Sequence, residues 1–128
     1  MSWAIYRLGM AADLQADCLF CKIVADQIPA TVVFRDDAVT AFRDINPQAP
    51  THVLVIPNRH IDSTEDLSAA DDGMVGTLVR AARDVARQEG LSERGYRLVF
   101  NTGRDANNTV PHLHLHVIGG RAMTWPPG

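Results

Sequence analysis

The sequence predicts an α+β domain with a five-stranded, mainly antiparallel sheet, one long helix and a short N-terminal helix. Five short segments rich in β-branched and aromatic residues lie between turn signals, and one longer segment has apolar residues at helical spacing. The strands follow one another as hairpins except where the long helix crosses over, which favours an α+β arrangement. A length of 128 residues fits one compact domain.

The first half of the chain is predicted to form the short helix and three strands. The helix covers residues 21–27 and ends at Ile28, because a residue that precedes proline disfavours helical backbone. The strands cover residues 31–34, 39–44 and 51–57. Asp36 and Asp37 suit a tight turn between the first two strands, and the proline-punctuated segment 46–50 suits a loop before the third.

The second half is predicted to form the long helix, between Ser68 and Glu89, and two further strands. Ser68 and Asp71 make a capping box at its start, and Gly90 supplies a stop at its end. Its apolar stripe, expected to pack on one face of the sheet, consists of Met74, Val75, Leu78, Val79, Ala82, Val85 and Ala86. The last two strands are predicted at residues 96–101 and 113–118.

Composition argues against two classes of partner. With 12 Lys and Arg against 15 Asp and Glu, the formal net charge is -3, so no broad basic field is available for nucleic acid or anionic lipid. No apolar run approaches the ~18 residues that a membrane span needs. Residues 1–16, which lack the basic start of a targeting segment, are expected to form a loosely ordered extension to a domain of residues 17–128. Only two cysteines are present, and their close spacing suits a reduced compartment, so we expect the cytoplasm.

Three of the five histidines, His112, His114 and His116, alternate with apolar residues in "HLHLHVI". In a strand, alternate side chains point to the same face, so these three rings should form one wall of a site. Imidazole can ligate a metal, transfer protons near neutral pH and attack an electrophile. The alternative interpretation is a half-exposed strand with polar residues on its wet side.

A metal centre is the second prediction. Cys18 and Cys21 form a CxxC pair, and His60 and His112 could complete a tetrahedral Cys2His2 set with closed coordination. Such a site would be structural and would tie three separate parts of the chain together. Two ordinary buried thiols are the alternative, and a redox CxxC is disfavoured because no thioredoxin-like βαβ context surrounds it.

The motif "HLHLHVI" resembles the signature of the histidine triad (HIT) family, in which three histidines alternate with apolar residues. The segments "CLFCKI", "AFRDINPQAPTHVLVIPNRHI", "GYRLVFN" and "HLHLHVIGGRAMTWPPG" are similar to the Hint branch, the purine nucleoside phosphoramidases. The resemblance extends over roughly residues 17–128. It implies a HIT-like fold, a homodimer in which the sheets of two subunits are joined, and a purine nucleotide substrate.

The resemblance also implies a role for each histidine. His114 would be the nucleophile that cleaves the P–N bond of a nucleoside 5'-phosphoramidate through a covalent nucleotidyl-histidine, and His116 and His52 would line the phosphate. The resemblance supports a structural Zn2+ on Cys18, Cys21, His60 and His112, and no catalytic metal or organic cofactor is expected.

The remaining substrate contacts are likewise implied by the resemblance. Asn101 and Thr109 would bond the phosphate oxygens, although the family more usually has Ser in place of Thr109. Asp44 would accept both ribose hydroxyls. The base would be enclosed by four apolar side chains, and Trp125 would face the leaving amine of the partner subunit's site. The four apolar side chains are Phe20, Ile23, Phe42 and Ile45.

Two other functions stay open at this point. The same His114 chemistry could serve a dinucleoside polyphosphate hydrolase or nucleotidyl transferase. The chain could also be a zinc-stabilised nucleotide-binding scaffold whose catalysis is vestigial.

Overall fold

A computed structural model of the chain describes residues 14–128. Of the predicted N-terminal extension, 1–16, only the last three residues fall within the described part. The elements in chain order are α1 (Leu19–Val24), β1 (Val32–Arg35), β2 (Val39–Arg43), β3 (Thr51–Pro57), α2 (Asp72–Gln88), β4 (Tyr96–Phe100) and β5 (Leu115–Gly119). The strands form one sheet in the order β1-β2-β3-β5-β4, and all neighbouring strands are antiparallel. The predicted α+β class, with five strands, one long helix and one short helix, is confirmed.

The short helix differs most from its predicted bounds. It begins at Leu19 because the Cys18 side chain accepts a hydrogen bond from the Cys21 amide and caps the first turn. It ends at Val24, before Asp26 takes a positive φ of 56° that helical backbone does not permit. The predicted range of 21–27 was therefore too late at both ends.

The long helix begins later than predicted. Ser68 starts a 3-10 turn, Ala69–Asp71, and the α-helical ladder follows from Asp72. The capping interaction is present, because the Ser68 amide donates to the Asp71 carboxylate at 3.0 Å. None of the helices in the described part of the chain is both long and apolar enough to cross a membrane.

The two faces of the sheet carry different cores. On one face the alternating residues of β2, β3 and β5 pack against α2, and Val53, Val117 and Leu78 are fully buried there. On the other face α1 packs Phe20 and Val24 against the opposite side chains of β2 and β3. Because α1 covers only part of this second face, the rest stays open beside it.

Strand β5 begins two residues later than predicted, at Leu115. His112 and His114 therefore lie in the extended approach to the strand, and His116 lies within it. Leu113, Leu115 and Val117 fill the core under α2, so the histidines occupy the face that α1 leaves open. At the far end of β5, Gly120 has a φ of +95° and lies against Pro50, where a Cβ would come within 2.9 Å of the ring.

Candidate active site and metal centre

The five histidines divide into two groups along the open face of the sheet. His60 and His112 lie with both cysteines beside α1, and His52, His114 and His116 line the neighbouring cleft. Of the three histidines predicted to share one wall, His112 lies among the candidate metal ligands and His114 and His116 line the cleft, which is the grouping that their predicted roles require.

The first group has four ligand atoms within 4.8 Å of one another: the sulfurs of Cys18 and Cys21 and one ring nitrogen each from His60 and His112. His112 Nδ1 lies 3.3 Å from Cys18 Sγ and 3.5 Å from Cys21 Sγ, and His60 Nδ1 lies 3.2 Å from Cys21 Sγ. A tetrahedral ion with metal–sulfur bonds of about 2.3 Å and metal–nitrogen bonds of about 2.0–2.1 Å separates such atoms by about 3.5 Å. The predicted cluster is assembled with spacings that could hold a metal ion.

The outer nitrogens of these two rings are held in the way metal ligands require. His112 Nε2 lies 3.0 Å from the carbonyl oxygen of Pro57, and His60 Nε2 contacts the Asp62 carboxylate. Since both partners only accept, each Nε2 carries the proton and each Nδ1 offers a lone pair toward the sulfurs.

The Cys21 thiol needs a nearby cation to ionise at neutral pH. Burial raises the pKa of Cys21 to about 12, so without a nearby positive charge this thiol stays protonated at neutral pH. A bound metal ion would reverse that preference, since thiolates are its ligands. Both cysteines are free of disulfides.

The second group opens into a cleft of about 800 Å³ beside α1. All the predicted substrate residues except Trp125 line this cleft. They are Phe20, Ile23, Phe42, Asp44, Ile45, His52, Asn101, Thr109, His114 and His116. Residues more than 90 positions apart in the chain therefore reach one cavity, since α1, β2, β3, β4 and β5 each contribute to its walls.

His114 is buried and held in one orientation. Its Nδ1 lies 2.7 Å from the main-chain carbonyl oxygen of His112, so Nδ1 carries the proton and Nε2 keeps its lone pair. The Phe20 ring packs edge-on against it with a centroid distance of 5.2 Å. Burial lowers the pKa of His114, so the ring is neutral near pH 7 and its free nitrogen can act as a nucleophile.

His52 and His116 form a directly bonded pair. His52 Nε2 lies 2.8 Å from His116 Nδ1 and 3.5 Å from the Asp44 carboxylate, and Asn101 Nδ2 lies 3.4 Å from His116 Nε2. Burial lowers the pKa of His116 to about 4, helped by the neighbouring His114 and His52 rings, and burial also lowers the pKa of His52. Both rings are therefore neutral near pH 7.

The apolar end of the cleft is built from α1 and β2. Phe20 and Phe42 are buried and meet edge to face with a centroid distance of 5.3 Å. Ile23 is also buried, whereas Ile45 is 101% exposed at the rim. Three of the four residues predicted to enclose a base thus belong to the second core, and Ile45 is available to contact a ligand from outside.

Trp125 lies outside the cleft of its own chain. Its side chain is 82% exposed, and the Arg97 guanidinium carbon lies 6.0 Å from the ring centroid.

Residues that the sequence did not identify are Pro57, Asp62 and Gln48, which orient histidine rings. Pro57 and Gln48 act through main-chain atoms, so no side-chain type marks them. Asp62, two residues after His60, could have been found from the usual pairing of a ligating histidine with a carboxylate.

Comparison with known proteins agrees with this geometry. The family model described as "HIT domain" matches residues 25–123. The chain is 47% identical over 107 residues to the purine nucleoside phosphoramidase of Escherichia coli K12, a match that covers 84% of this chain and 90% of that protein.

Solved structures give the same result. A HIT family hydrolase from Legionella pneumophila shares 54% sequence identity with a TM-score of 0.86, over 88% of this chain and all of that one. A histidine triad nucleotide-binding protein from Candida albicans shares 27% identity with a TM-score of 0.74, over 88% of this chain and 85% of that one. Because the matched family region takes in every histidine of both groups, the chain belongs to the HIT domain family.

Proposed function

We propose that this HIT family hydrolase cleaves the P–N bond of purine nucleoside 5'-phosphoramidates through a covalent nucleotidyl-histidine on His114. The observation that carries the proposal is the orientation of His114: the His112 carbonyl occupies Nδ1, and Nε2 is left with a lone pair beside the cleft. The identity of 47% to a protein named purine nucleoside phosphoramidase supports this choice of substrate class.

In the first step His114 Nε2 attacks the α-phosphorus, a P–N bond to the ring forms, and the P–N bond to the substrate amine breaks. The leaving nitrogen takes up one proton from solvent and departs as an amine. In the second step water attacks phosphorus, returns one proton to solvent and displaces the ring, which gives the nucleoside monophosphate and neutral His114. One water is consumed overall, and two low barriers replace one high barrier.

The other cleft residues stabilise the charge that develops on phosphorus. His116, Asn101 and Thr109 offer N–H and O–H groups to the phosphoryl oxygens, and His52 supports His116 through the bond at 2.8 Å. Asp44 accepts the ribose hydroxyls, and the purine ring lies against Phe20 and Phe42 at the apolar end.

We assign the Cys2His2 cluster to a structural Zn2+. The ion would supply closed tetrahedral coordination by Cys18, Cys21, His60 and His112 and would take no part in phosphoryl chemistry. We also propose a homodimer in which Trp125 reaches the leaving-amine side of the partner's cleft, in line with its exposure of 82% and its absence from the lining of its own cleft. Light scattering and a Trp125→Ala variant assayed on several amine leaving groups test this arrangement.

The test of the proposal is to trap the intermediate. The protein is mixed with a nucleoside phosphoramidate radiolabelled at phosphorus, quenched within the first turnover, and examined for label that is acid-labile and base-stable. We expect label on the wild type and none on His114→Ala. Asn101→Ala is the matched control, since it keeps the nucleophile and should acquire label more slowly.

Label on His114→Ala, or a folded wild type that turns over without acquiring label, would refute the nucleophile assignment. The leaving group is tested separately by comparing kcat/KM for a phosphoramidate and a dinucleoside polyphosphate. A large preference for the polyphosphate would overturn the substrate class and leave the nucleophile in place.

A further inference from the structure

The loop before β3 contains a residue whose main chain joins the active site to the C-terminal segment. The amide of Gln48 donates to His52 Nδ1 at 3.0 Å, and the carbonyl of Gln48 accepts from Arg121 Nε at 3.0 Å. Its side chain is exposed and donates to the Asn46 carbonyl at 2.9 Å. Gln48 therefore acts through its peptide groups.

The Gln48 amide fixes the proton positions of two rings in succession. An amide only donates, so His52 Nδ1 must accept and His52 Nε2 must carry the proton. That Nε2–H then donates across 2.8 Å to His116 Nδ1. His116 is left with its proton on Nε2, which faces Asn101 and the cleft. The Asn101 amide can present its oxygen to that N–H after a half-turn.

The reverse arrangement creates two clashes. A proton on His52 Nδ1 would point at the Gln48 amide 3.0 Å away, and a lone pair on His52 Nε2 would face the Asp44 carboxylate at 3.5 Å. One unmet buried hydrogen bond is enough for about a tenfold preference. Burial lowers the pKa of both rings, so each ring is neutral and carries one proton. The two rings therefore have tautomers between which the Gln48 amide can select.

The Gln48 amide also disfavours a metal ion on Asp44, His52 and His116, whose ligand atoms lie within 4.8 Å of one another. A metal ion on His52 Nε2 would need the proton on Nδ1, where the Gln48 amide points. In the Cys2His2 cluster the outer nitrogens face oxygen acceptors instead. The difference in partners assigns one group to metal and the other to proton placement.

Arg121 holds the Gln48 main chain in place from the other side. Gly120, with a φ of +95°, brings the chain against Pro50 at the end of β5, and the next residue reaches back to the Gln48 carbonyl. A side chain at residue 120 would collide with Pro50, so this close approach is built into the sequence.

We propose that the Gln48 main chain, held by Arg121, sets the tautomer of the His52–His116 pair so that His116 presents Nε2–H to the cleft. Gln48 and Arg121 are positioning residues, and their effect on catalysis rests on the proposed function. The tautomer itself does not, because it is a property of the free protein.

The first test is a long-range proton–nitrogen NMR spectrum of the metal-loaded full chain without substrate, labelled with nitrogen-15 in its histidines. Each ring is assigned from a single-histidine variant. We expect His52 and His116 to be protonated at Nε2 and His114 at Nδ1. A proton on Nδ1 of His52 or His116 overturns the proposal, whether or not the enzyme cleaves phosphoramidates.

The second test compares Arg121→Gln with Arg104→Gln, since Arg104 is 95% exposed and its ion pair is with Asp105 beside it. In Arg121→Gln we expect a second tautomer of His52 in the spectrum and a kcat about tenfold lower, with KM within about twofold and an unchanged unfolding midpoint. Arg104→Gln should match the wild type. Unaltered tautomers and kcat in folded Arg121→Gln would refute the role of Arg121.

The third test removes the amide. Gln48→Ala keeps the main-chain N–H, so His52 and His116 should keep their wild-type tautomers in the spectrum. Gln48→Pro lacks this N–H, so each of the two rings should show a mixture of tautomers. If Gln48→Pro does not fold, the wild-type spectrum alone decides. A folded Gln48→Pro with wild-type tautomers would refute the role of the amide.

Discussion

Removal of the metal ion that we propose for the Cys2His2 cluster should lower the stability of the fold and leave catalysis largely intact. The perturbation is chelation of the wild type, or the double substitution Cys18→Ser and Cys21→Ser. The cluster joins α1 to the loop after β3, 39 residues away, and to the approach to β5, 94 residues away. Loss of the proposed metal ion should therefore release three segments from one another, while His52, His114 and His116 keep their hydrogen bonds.

The magnitude follows from linkage. At a free metal concentration about a thousand times the dissociation constant, binding to the folded state alone contributes about 4 kcal/mol to the free energy of unfolding. For a chain of this size about 1 kcal/mol corresponds to about 4 °C, so the unfolding midpoint should fall by about 15 °C. The demetallated protein should still fold, because the raised pKa of Cys21, about 12, keeps that thiol neutral and compatible with burial.

The assay is thermal unfolding with and without chelator, together with metal analysis of the purified protein. The double cysteine variant is the control: it should unfold at the midpoint of the chelated wild type and should not respond to chelator. Turnover well below that midpoint should be largely retained. A metal-free wild type whose midpoint ignores chelator, or a double variant as stable as the wild type, would refute the assignment.

Three further predictions test the cleft, its ionisation and the core. Asp44→Asn should raise KM about tenfold or more with a smaller effect on kcat, and should remove discrimination against 2'-deoxyribose substrates, because a charged acceptor bonded to hydroxyls is worth about 1.5–3 kcal/mol; steady-state kinetics measure this. His116 has a pKa of about 4 in the folded chain and an ordinary value of about 6.5 in the unfolded chain, so between these two pH values the folded state binds fewer protons. The free energy of unfolding, measured with urea, should therefore fall as the pH drops from about 6.5 to about 4, and it should fall less steeply in His116→Asn. Leu78→Ala should cost about 2–5 kcal/mol in the same assay because Leu78 is fully buried, whereas the exposed neighbour Val79→Ala should stay within about 0.5 kcal/mol.

The fold could be predicted because its pattern is local. The cluster of β-branched residues in β3, the alternation in β5 and most of the apolar stripe of α2 depend only on neighbouring residues, although Val79 of that predicted stripe is 41% exposed. The capping interaction likewise needs only Ser68 and Asp71, three positions apart. The bounds of α1 could not be predicted from local pattern. The helix begins where the Cys18 sulfur caps it, and it ends before the positive φ of Asp26.

The site was predictable as far as side-chain chemistry marks it. Cysteine and histidine are the residue types expected for metal ligands and nucleophiles. The Cys2His2 cluster and the histidines of the cleft could therefore be predicted from residue type and from the family resemblance. Their division could not be seen from period two alone, since His112 and His114 precede the regular strand. The groups that orient the rings, the carbonyls of Pro57 and His112 and the amide of Gln48, belong to the main chain and have no counterpart in residue type.

The pairing of β3 with β5 has a consequence for how active preparations are interpreted. His52 lies opposite Ile118 and His116 opposite Leu54, so the two rings meet diagonally across the ladder. A slip of one residue would turn one strand's histidine toward α2 and leave the other without its partner. The native register of β3 and β5 and a working site therefore form together, and a molecule in a shifted register is inactive. The specific activity of a refolded sample should thus be proportional to the fraction of molecules in the native register.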